Sequence, residues 1–169
     1  MGAYLSIPVL AVAVILQATV MPELRIAGGA PDLVLLIVVA YSLLSGFERG
    51  AVWAVVGGLL YDLLSSVPLG TTALALVVAT GVNGAVFGRV APRSFFQPVL
   101  AAGLATVIVH AATLVVLAFS GRSLPLFQTL GYVTVPALLY NMAGMVVFYR
   151  LIGAFFTAGR PRRVESIQR

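Results

Sequence analysis

The feature that most constrains this chain is a series of long apolar segments, interrupted by glycine, proline and arginine rather than by regularly alternating polar residues. The clearest segment, Val99–Ser120, contains no Asp, Glu, Lys or Arg. A helix rises about 1.5 Å per residue, so about 20 apolar residues cross the roughly 30 Å hydrocarbon core of a bilayer. Charged residues make up only 9% of the chain, against about 25% in soluble domains. We therefore predict an all-α, polytopic integral membrane protein.

The same composition excludes several kinds of site. The chain has no cysteine and a single histidine, which excludes a disulfide framework, a thiolate-bound metal and a multi-histidine metal site within one chain. No cofactor is expected, because the short connections between the segments leave no room for a nucleotide-binding loop. The net charge of +5 comes from ten arginines, which lie mostly at segment ends and in the C-terminal tail. This distribution indicates membrane topology rather than nucleic-acid binding.

Six spans emerge, and the first is predicted to be retained because no basic residue precedes it. They are Tyr4–Met21, Asp32–Ser45, Ala51–Ser65, Thr71–Gly88, Val99–Ser120 and Gln128–Leu151. They form one predicted transmembrane domain, residues 1–156, followed by a short basic cytoplasmic tail, residues 157–169. The second and third spans are short, so a re-entrant pair and one long tilted helix are alternatives. The glycine-bracketed sequence Gly46-Phe47-Glu48-Arg49-Gly50 favours a helical hairpin.

The arginines predict the orientation of these spans. With six crossings, both termini lie on one side of the membrane. If that side is the cytoplasm, eight arginines lie inside and two lie outside, and the outer ones are Arg25 and Arg122. This bias follows the positive-inside rule. The tail sequence Arg160-Pro161-Arg162-Arg163 is interpreted as a topology anchor, with contact to anionic membrane lipid as the alternative.

Small and polar residues recur at helical spacing on four of the spans, as expected for helices that associate in lipid. The stripes are Ala51, Val55, Gly58 and Asp62; Gly81, Gly84 and Gly88; Gly103, Thr106, His110 and Thr113; and Thr134, Ala137, Asn141 and Gly144. From them we predict helix-packing roles for Gly81, Gly84, Gly88, His110, Asn141 and Gly144, with Gly84 and Gly88 forming a GxxxG pair. The second span has almost no such residue before Tyr41 and is predicted to face lipid or a partner.

Three ionisable residues within the spans invite a functional interpretation. Asp62, near the predicted outer end of the third span, can cap the Ser65–Gly70 turn, grip a partner helix, or serve a proton or substrate relay. His110 is interpreted as an interhelical hydrogen bond, with a titrating relay as the alternative. Asp32 suits the N-cap of the second span, because its carboxylate can accept a backbone N–H. No nucleophile, base and stabiliser occur together, so no enzyme activity is expected.

The stretch from Pro31 to Gly70 carries a family resemblance. Pro31-Asp32-Leu33 opens a very apolar helix, and a glycine-bracketed charged turn ends at Gly50. Gly57-Gly58-Leu59-Leu60-Tyr61-Asp62-Leu63-Leu64-Ser65 and Pro68-Leu69-Gly70 follow. The chain resembles the bacterial MreD family of rod shape-determining proteins, also in its length, its six spans and its basic tail. The residues singled out for partner binding or structure are Asp32, Gly50, Gly58, Asp62, Ser65, Pro68 and Gly70.

The resemblance implies a non-enzymatic scaffold of the cell-elongation machinery in the inner membrane, which supports cell shape and peptidoglycan synthesis. Its implied partners are the transmembrane helix of MreC and, through it, MreB, RodA and a class B penicillin-binding protein. The fold implied is similar to the membrane substrate-binding subunits of energy-coupling factor transporters, so a vitamin-uptake subunit is the alternative. Such subunits present Ala-x-x-x-Ala on their first helix, whereas here Ala3, Ala11, Ala13 and Ala18 contain no pair four apart. An independent channel or flippase would need a continuous polar path, which the sequence lacks.

Overall fold

The computed structural model describes residues 6–23, 28–88, 96–120 and 130–158, and over these residues the chain is helical with no strand. Its elements are α1 (Ser6–Thr19), α2 (Leu33–Ser45), α3 (Phe47–Leu64), α4 (Thr71–Phe87), α5 (Phe96–Phe119) and α6 (Val135–Ala158), with a π-helical turn at Leu130–Thr134 before α6. One helix corresponds to each predicted segment. The last is displaced furthest, since α6 begins at Val135 and runs to Ala158, past the predicted domain boundary. The tail that follows lies outside the described residues.

Helix α2 lies at the centre of the bundle and contacts each of the other five helices. Every residue from Val34 to Ser42 is buried. The prediction that this segment faces lipid or a partner is therefore wrong. A helix that is apolar on all sides can be surrounded by protein as well as by lipid, and its composition alone does not distinguish the two. With 13 residues, α2 is about 20 Å long, shorter than the hydrocarbon core, and its sides are covered by neighbouring helices.

The hairpin predicted for the second and third segments is present, and the single residue Gly46 joins α2 to α3. Gly46 has a φ of 90°, in the left-handed region that glycine adopts without steric cost. Glu48 and Arg49 consequently lie in the first turn of α3 rather than in a loop. Gly50 packs so closely on α2 that an added methyl group would collide with Ser42. The two glycines thus shape the turn and the contact that closes it.

The other five helices surround α2 in the order α1, α3, α4, α5, α6, because each packs on the next in that series. Helix α1 packs on α2 and α3, and α6 packs on α2 and α5, but α1 and α6 make little contact with each other. The ring around α2 is therefore incomplete, and its open side lies between α1 and α6.

The outer surface of the bundle is apolar. Leu63, Leu74 and Phe119 are among the many large apolar side chains that are exposed. Two helical stretches are long and apolar enough to cross a membrane, Phe96–Phe119 and Gly131–Phe155, while three further apolar helices are shorter. An apolar surface this extensive is unfavourable in water but suits contact with lipid.

The helices place the predicted polar residues and the described arginines at opposite ends of the bundle. The start of α2, the end of α3 and the start of α4 meet at one end, together with the start of α6. Arg49 and Arg150 are exposed and lie on the first turn of α3 and in the second half of α6, towards the opposite end. The other arginines lie outside the described residues, so the predicted arginine balance stays a prediction.

Candidate functional site

Asp62 ends the buried face of α3 and caps the next helix. Its side chain is only 3% exposed. Its carboxylate accepts hydrogen bonds from the backbone N–H groups of Gly70, at 2.8 Å, and Thr72, at 3.1 Å. N–H groups at the start of a helix have no acceptor within that helix, and negative charge is favoured there. Of the three interpretations of Asp62, this geometry matches the turn cap, and it leaves the carboxylate little exposed to a partner helix.

The predicted residues around Asp62 lie together in the turn from α3 to α4. The carbonyl of Pro68 accepts hydrogen bonds from the N–H of Thr71, at 3.2 Å, and from its hydroxyl, at 2.7 Å. Gly70 precedes α4 with a φ of 92°, which favours glycine. The hydroxyl of Ser65 donates to the carbonyl of Asp62 at 3.3 Å. These contacts assign the turn residues a local structural role.

Asn141 connects three helices at the centre of the polar end. Its side chain is fully buried. Its Oδ1 accepts a hydrogen bond from the backbone N–H of Asp32 at 2.7 Å, and its Nδ2 donates to the hydroxyl of Thr106 at 3.0 Å. The carboxylate of Asp32 in turn accepts from the N–H of Leu35 at 3.0 Å, so Asp32 is the N-cap of α2. One amide therefore links the start of the central helix to α5 and α6.

His110 links α5 to the π-helical turn that precedes α6. Its Nδ1 lies 3.0 Å from the hydroxyl oxygen of Thr134, and Thr134 is buried. The other ring nitrogen, Nε2, makes no hydrogen bond within the described residues. The stripes predicted on the fifth and sixth segments thus face each other, since Thr106 pairs with Asn141 and His110 pairs with Thr134. Asp62 is not hydrogen-bonded to His110, because its carboxylate is directed at α4.

Two amide side chains complete these polar links. Gln17 of α1 accepts from the N–H of Leu33 at 2.7 Å and donates to the carbonyl of Pro31 at 3.2 Å, which ties α1 to the start of α2. Asn83 of α4 is fully buried and donates to the carbonyl of Ala101 on α5 at 3.1 Å. Its Oδ1 is buried and has no partner among the described residues.

The closest helix approach involves glycines other than the GxxxG pair. Gly58 of α3 lies against Ala73 of α4, and an added methyl group would collide with the backbone of Ala73. At Gly84, such a methyl group would lie 3.6 Å from the Cβ of Phe47, an ordinary contact distance. Gly88 is exposed. The GxxxG motif therefore marks a partly open surface of α4.

Gly144 and Gly81, two further predicted packing glycines, also differ in how closely a neighbouring side chain approaches them. A methyl group at Gly144 of α6 would approach Leu36 Cδ1 at 2.9 Å, which is closer than side-chain carbons pack. At Gly81 of α4 it would approach the ring of Phe47 at 3.4 Å. Gly144 is therefore part of the packed interface with the central helix, whereas Gly81 borders the same open surface as Gly84.

The described residues form several concave surfaces, and two of them bear on function. The first, which we call the polar cleft, has a volume of about 370 Å³ and lies at the polar end of the bundle between the end of α3, α5 and the start of α6. Its polar lining includes Asp32, Ser65, Ser66, Thr72, His110 and Thr113, and its apolar lining includes Val67, Val109, Leu114, Leu117 and Val133. Sequence reasoning found several of these residues singly but not the cleft that they form.

The second concave surface, which we call the apolar groove, lies on the open side of the ring and has a volume of about 220 Å³. It is lined by residues that include Val9 of α1, Ile37 and Tyr41 of α2, Trp53 of α3, and Leu151 and Phe155 of α6. The rings of Tyr41 and Trp53 are stacked with centroids 4.0 Å apart, which gives the groove a rigid aromatic base. No sequence stripe indicated it, because every contributing residue is ordinary for a membrane helix.

The comparison with known proteins decides the family. A family model for the rod shape-determining protein MreD matches residues 1–158, which is nearly the whole chain. The chain belongs to the MreD family. No curated protein and no solved structure matches it. The family assigns the chain a role in rod shape determination, and it is a family of structural membrane proteins rather than a known enzyme family.

The described residues do not meet the requirements of a metal site. Among them, no group of three or more His, Asp or Glu side chains lies close enough to hold a metal ion. In this MreD family member, the acidic and imidazole side chains inside the bundle instead bond to helix ends and hydroxyl groups. These bonds fix how the helices are arranged around α2.

Proposed function

We propose that the chain is a six-span scaffold of the cell-elongation complex in the inner membrane, with both termini in the cytoplasm, and that it holds the transmembrane helix of MreC in the apolar groove. Through MreC it connects to MreB, RodA and a class B penicillin-binding protein, and so supports cell shape and peptidoglycan synthesis. The observation that carries the proposal is the incomplete ring, which leaves an apolar groove between α1 and α6 in a chain of the MreD family.

The chemistry of the groove favours a membrane helix as its occupant. Its lining is aliphatic and aromatic, so it offers packing surface, which is the main source of helix association in lipid. Leu151 and Phe155 are four residues apart on α6 and exposed, so they stand on one face of that helix. Val9 is exposed on the opposing side, on α1. A helix placed between them would contact both edges of the groove and approach the aromatic base.

The proposed orientation of the chain in the membrane is supported by its exposed arginines. Arg49 and Arg150 are exposed towards the same end of the bundle, and the positive-inside rule places such an end in the cytoplasm. The groove residues Leu151 and Phe155 lie on the same part of α6 as Arg150. The contact with MreC would therefore lie in the cytoplasmic half of the membrane.

Site-specific photocrosslinking tests the docking face. A photoreactive phenylalanine analogue is introduced at Val9 or Leu151 in cells that produce tagged MreC. The matched controls are Leu74 and Val78, which are exposed on α4, away from the groove. We expect an MreC crosslink from Val9 and Leu151 and little or none from the two α4 positions. Crosslinks from α4 alone would place MreC elsewhere, and no crosslink from any position would contradict the scaffold role.

A further inference from the structure

The polar cleft contains hydrogen-bonding groups that the fold does not use. Most polar side chains at this end of the bundle have partners, as the bonds of Asp62 and Asn141 show. In the cleft, however, the Nε2 of His110 and the hydroxyl groups of Ser66 and Thr72 make no hydrogen bond within the described residues. These groups are open to the cleft rather than sealed inside the fold, since Ser66 is exposed and the buried side-chain atom without a partner, Asn83 Oδ1, lies elsewhere. Three unused groups that line one cavity are therefore free to bond to an occupant from outside the chain.

The size and walls of the cleft restrict the occupant. A volume of about 370 Å³ is at the lower end of the range of about 300–1,000 Å³ that is typical of small-molecule sites. One wall is polar, while Leu114, Leu117 and Val133 supply an apolar wall. An occupant with a small polar group and an adjoining apolar part would match both the polar wall and the apolar wall of the cleft.

The charge of the lining restricts the polar group. The described lining contains one carboxylate, that of Asp32, and no arginine, so it does not favour an anionic group. The carboxyl group of Asp32 already accepts the N–H of Leu35 at the start of α2, so it is used by the fold and does not require a cationic ligand. The unused groups are an imidazole nitrogen and two hydroxyls, which pair naturally with hydroxyl groups.

We propose that the polar cleft binds an uncharged hydroxyl-bearing group of the polyol or sugar type, held by the Nε2 of His110 and the hydroxyls of Ser66 and Thr72. The group belongs either to a lipid headgroup or to a free small molecule. This site is independent of the partner role proposed above, because the apolar groove lies on the open side of the ring and shares none of these residues. The proposal concerns binding and includes no transport step.

Two substitutions of His110 separate ligand binding from helix packing. In His110→Asn, the amide occupies the position of Nδ1, so the bond to Thr134 is kept and the group at the Nε2 position is lost. In His110→Gln, the longer side chain reaches the Nε2 position, and the bond to Thr134 is lost. We expect His110→Asn to fold with near-parent thermal stability and to bind about five- to tenfold more weakly, as for the loss of one hydrogen bond. His110→Gln should instead lose thermal stability while its binding stays close to that of the parent.

A second pair of variants controls for changes in α5 itself. The hydroxyls of Thr113 and Ser120 each donate to the carbonyl four residues earlier, both at 2.8 Å. Of these two residues, Thr113 lines the cleft and Ser120 does not. Thr113→Ala should weaken binding, because it changes the wall of the cleft, while Ser120→Ala should leave binding unchanged.

The experiment measures the unfolding temperature of the full chain in a polyoxyethylene detergent, because a glycoside detergent would compete for the site. The probes are monoglucosyldiacylglycerol, diacylglycerol with the same acyl chains, and methyl glucoside. A ligand that binds the folded state raises the unfolding temperature with its concentration. Stabilisation by the glucolipid alone identifies a lipid headgroup, and stabilisation by methyl glucoside as well identifies a free polyol. The proposal is overturned if neither sugar probe stabilises the protein more than diacylglycerol does, or if His110→Asn and Thr113→Ala respond like the parent.

Discussion

The side-chain oxygen of Asn141 accepts a hydrogen bond from the backbone N–H of Asp32 at 2.7 Å, across a sequence separation of 109 residues. This bond joins the start of the central helix to the first half of α6. The same amide donates to Thr106, so one buried side chain orders three helices. Its loss would leave the N–H of Asp32 without its acceptor in a poorly hydrated site.

Asn141→Leu should therefore destabilise the bundle by about 1–3 kcal/mol, the cost of leaving a buried donor unsatisfied. Asn83→Leu is the matched control, because Asn83 is equally buried but makes a single hydrogen bond and already has an unpartnered oxygen. We expect Asn83→Leu to cost no more than about 1 kcal/mol. Thermal unfolding in mild detergent measures the loss of stability in both variants. Equal losses for the two variants would contradict the special role of Asn141.

The cap on α4 gives a second prediction. Asp62→Leu removes the acceptor of two backbone N–H groups and should destabilise the protein by about 2–3 kcal/mol. Asp62→Asn keeps one side-chain oxygen and should cost about 1 kcal/mol. Unfolding temperature and the amount of folded protein recovered from membranes report the difference. If both variants matched the parent, the capping role of Asp62 would be refuted.

Glycine packing gives a third prediction. Gly58→Ala places a methyl group against the backbone of Ala73 and should cost about 1–3 kcal/mol through overpacking. Gly84→Ala meets Phe47 at an ordinary contact distance of 3.6 Å. Since alanine favours helix over glycine by about 1 kcal/mol, Gly84→Ala should be neutral or slightly stabilising. A larger loss at Gly84 than at Gly58 would restore the GxxxG pair as the main packing contact.

The orientation gives a fourth prediction, and the absence of native cysteine makes it simple to test. Glu48 and Ser66 are exposed near opposite ends of α3. In intact cells, a membrane-impermeant maleimide should label Ser66→Cys but not Glu48→Cys, because the arginine-bearing end is proposed to lie in the cytoplasm. Both should react after permeabilisation. Labelling of Glu48→Cys but not of Ser66→Cys in intact cells would show that the orientation is opposite to the one proposed.

The sequence by itself determined the helical class, the approximate helix positions and the hairpin around Gly46. These follow from local physics, because an apolar run, a glycine turn and an N-cap such as Asp32 act within a few residues of chain. The small and polar stripes on the fifth and sixth segments were also predicted as packing faces, and in the structure these two faces meet. The family resemblance carried by Pro31 to Gly70 agrees with the family model.

Only the tertiary structure decided which apolar helix is central and where the concave surfaces lie. Lipid and a protein interior are similarly apolar, so the composition of α2 fits either environment. The placement of α2 depends on five neighbours that approach it at once. The partners of Asn141 and Asp62 and the gap between α1 and α6 likewise depend on how separate helices pack, which no single segment encodes.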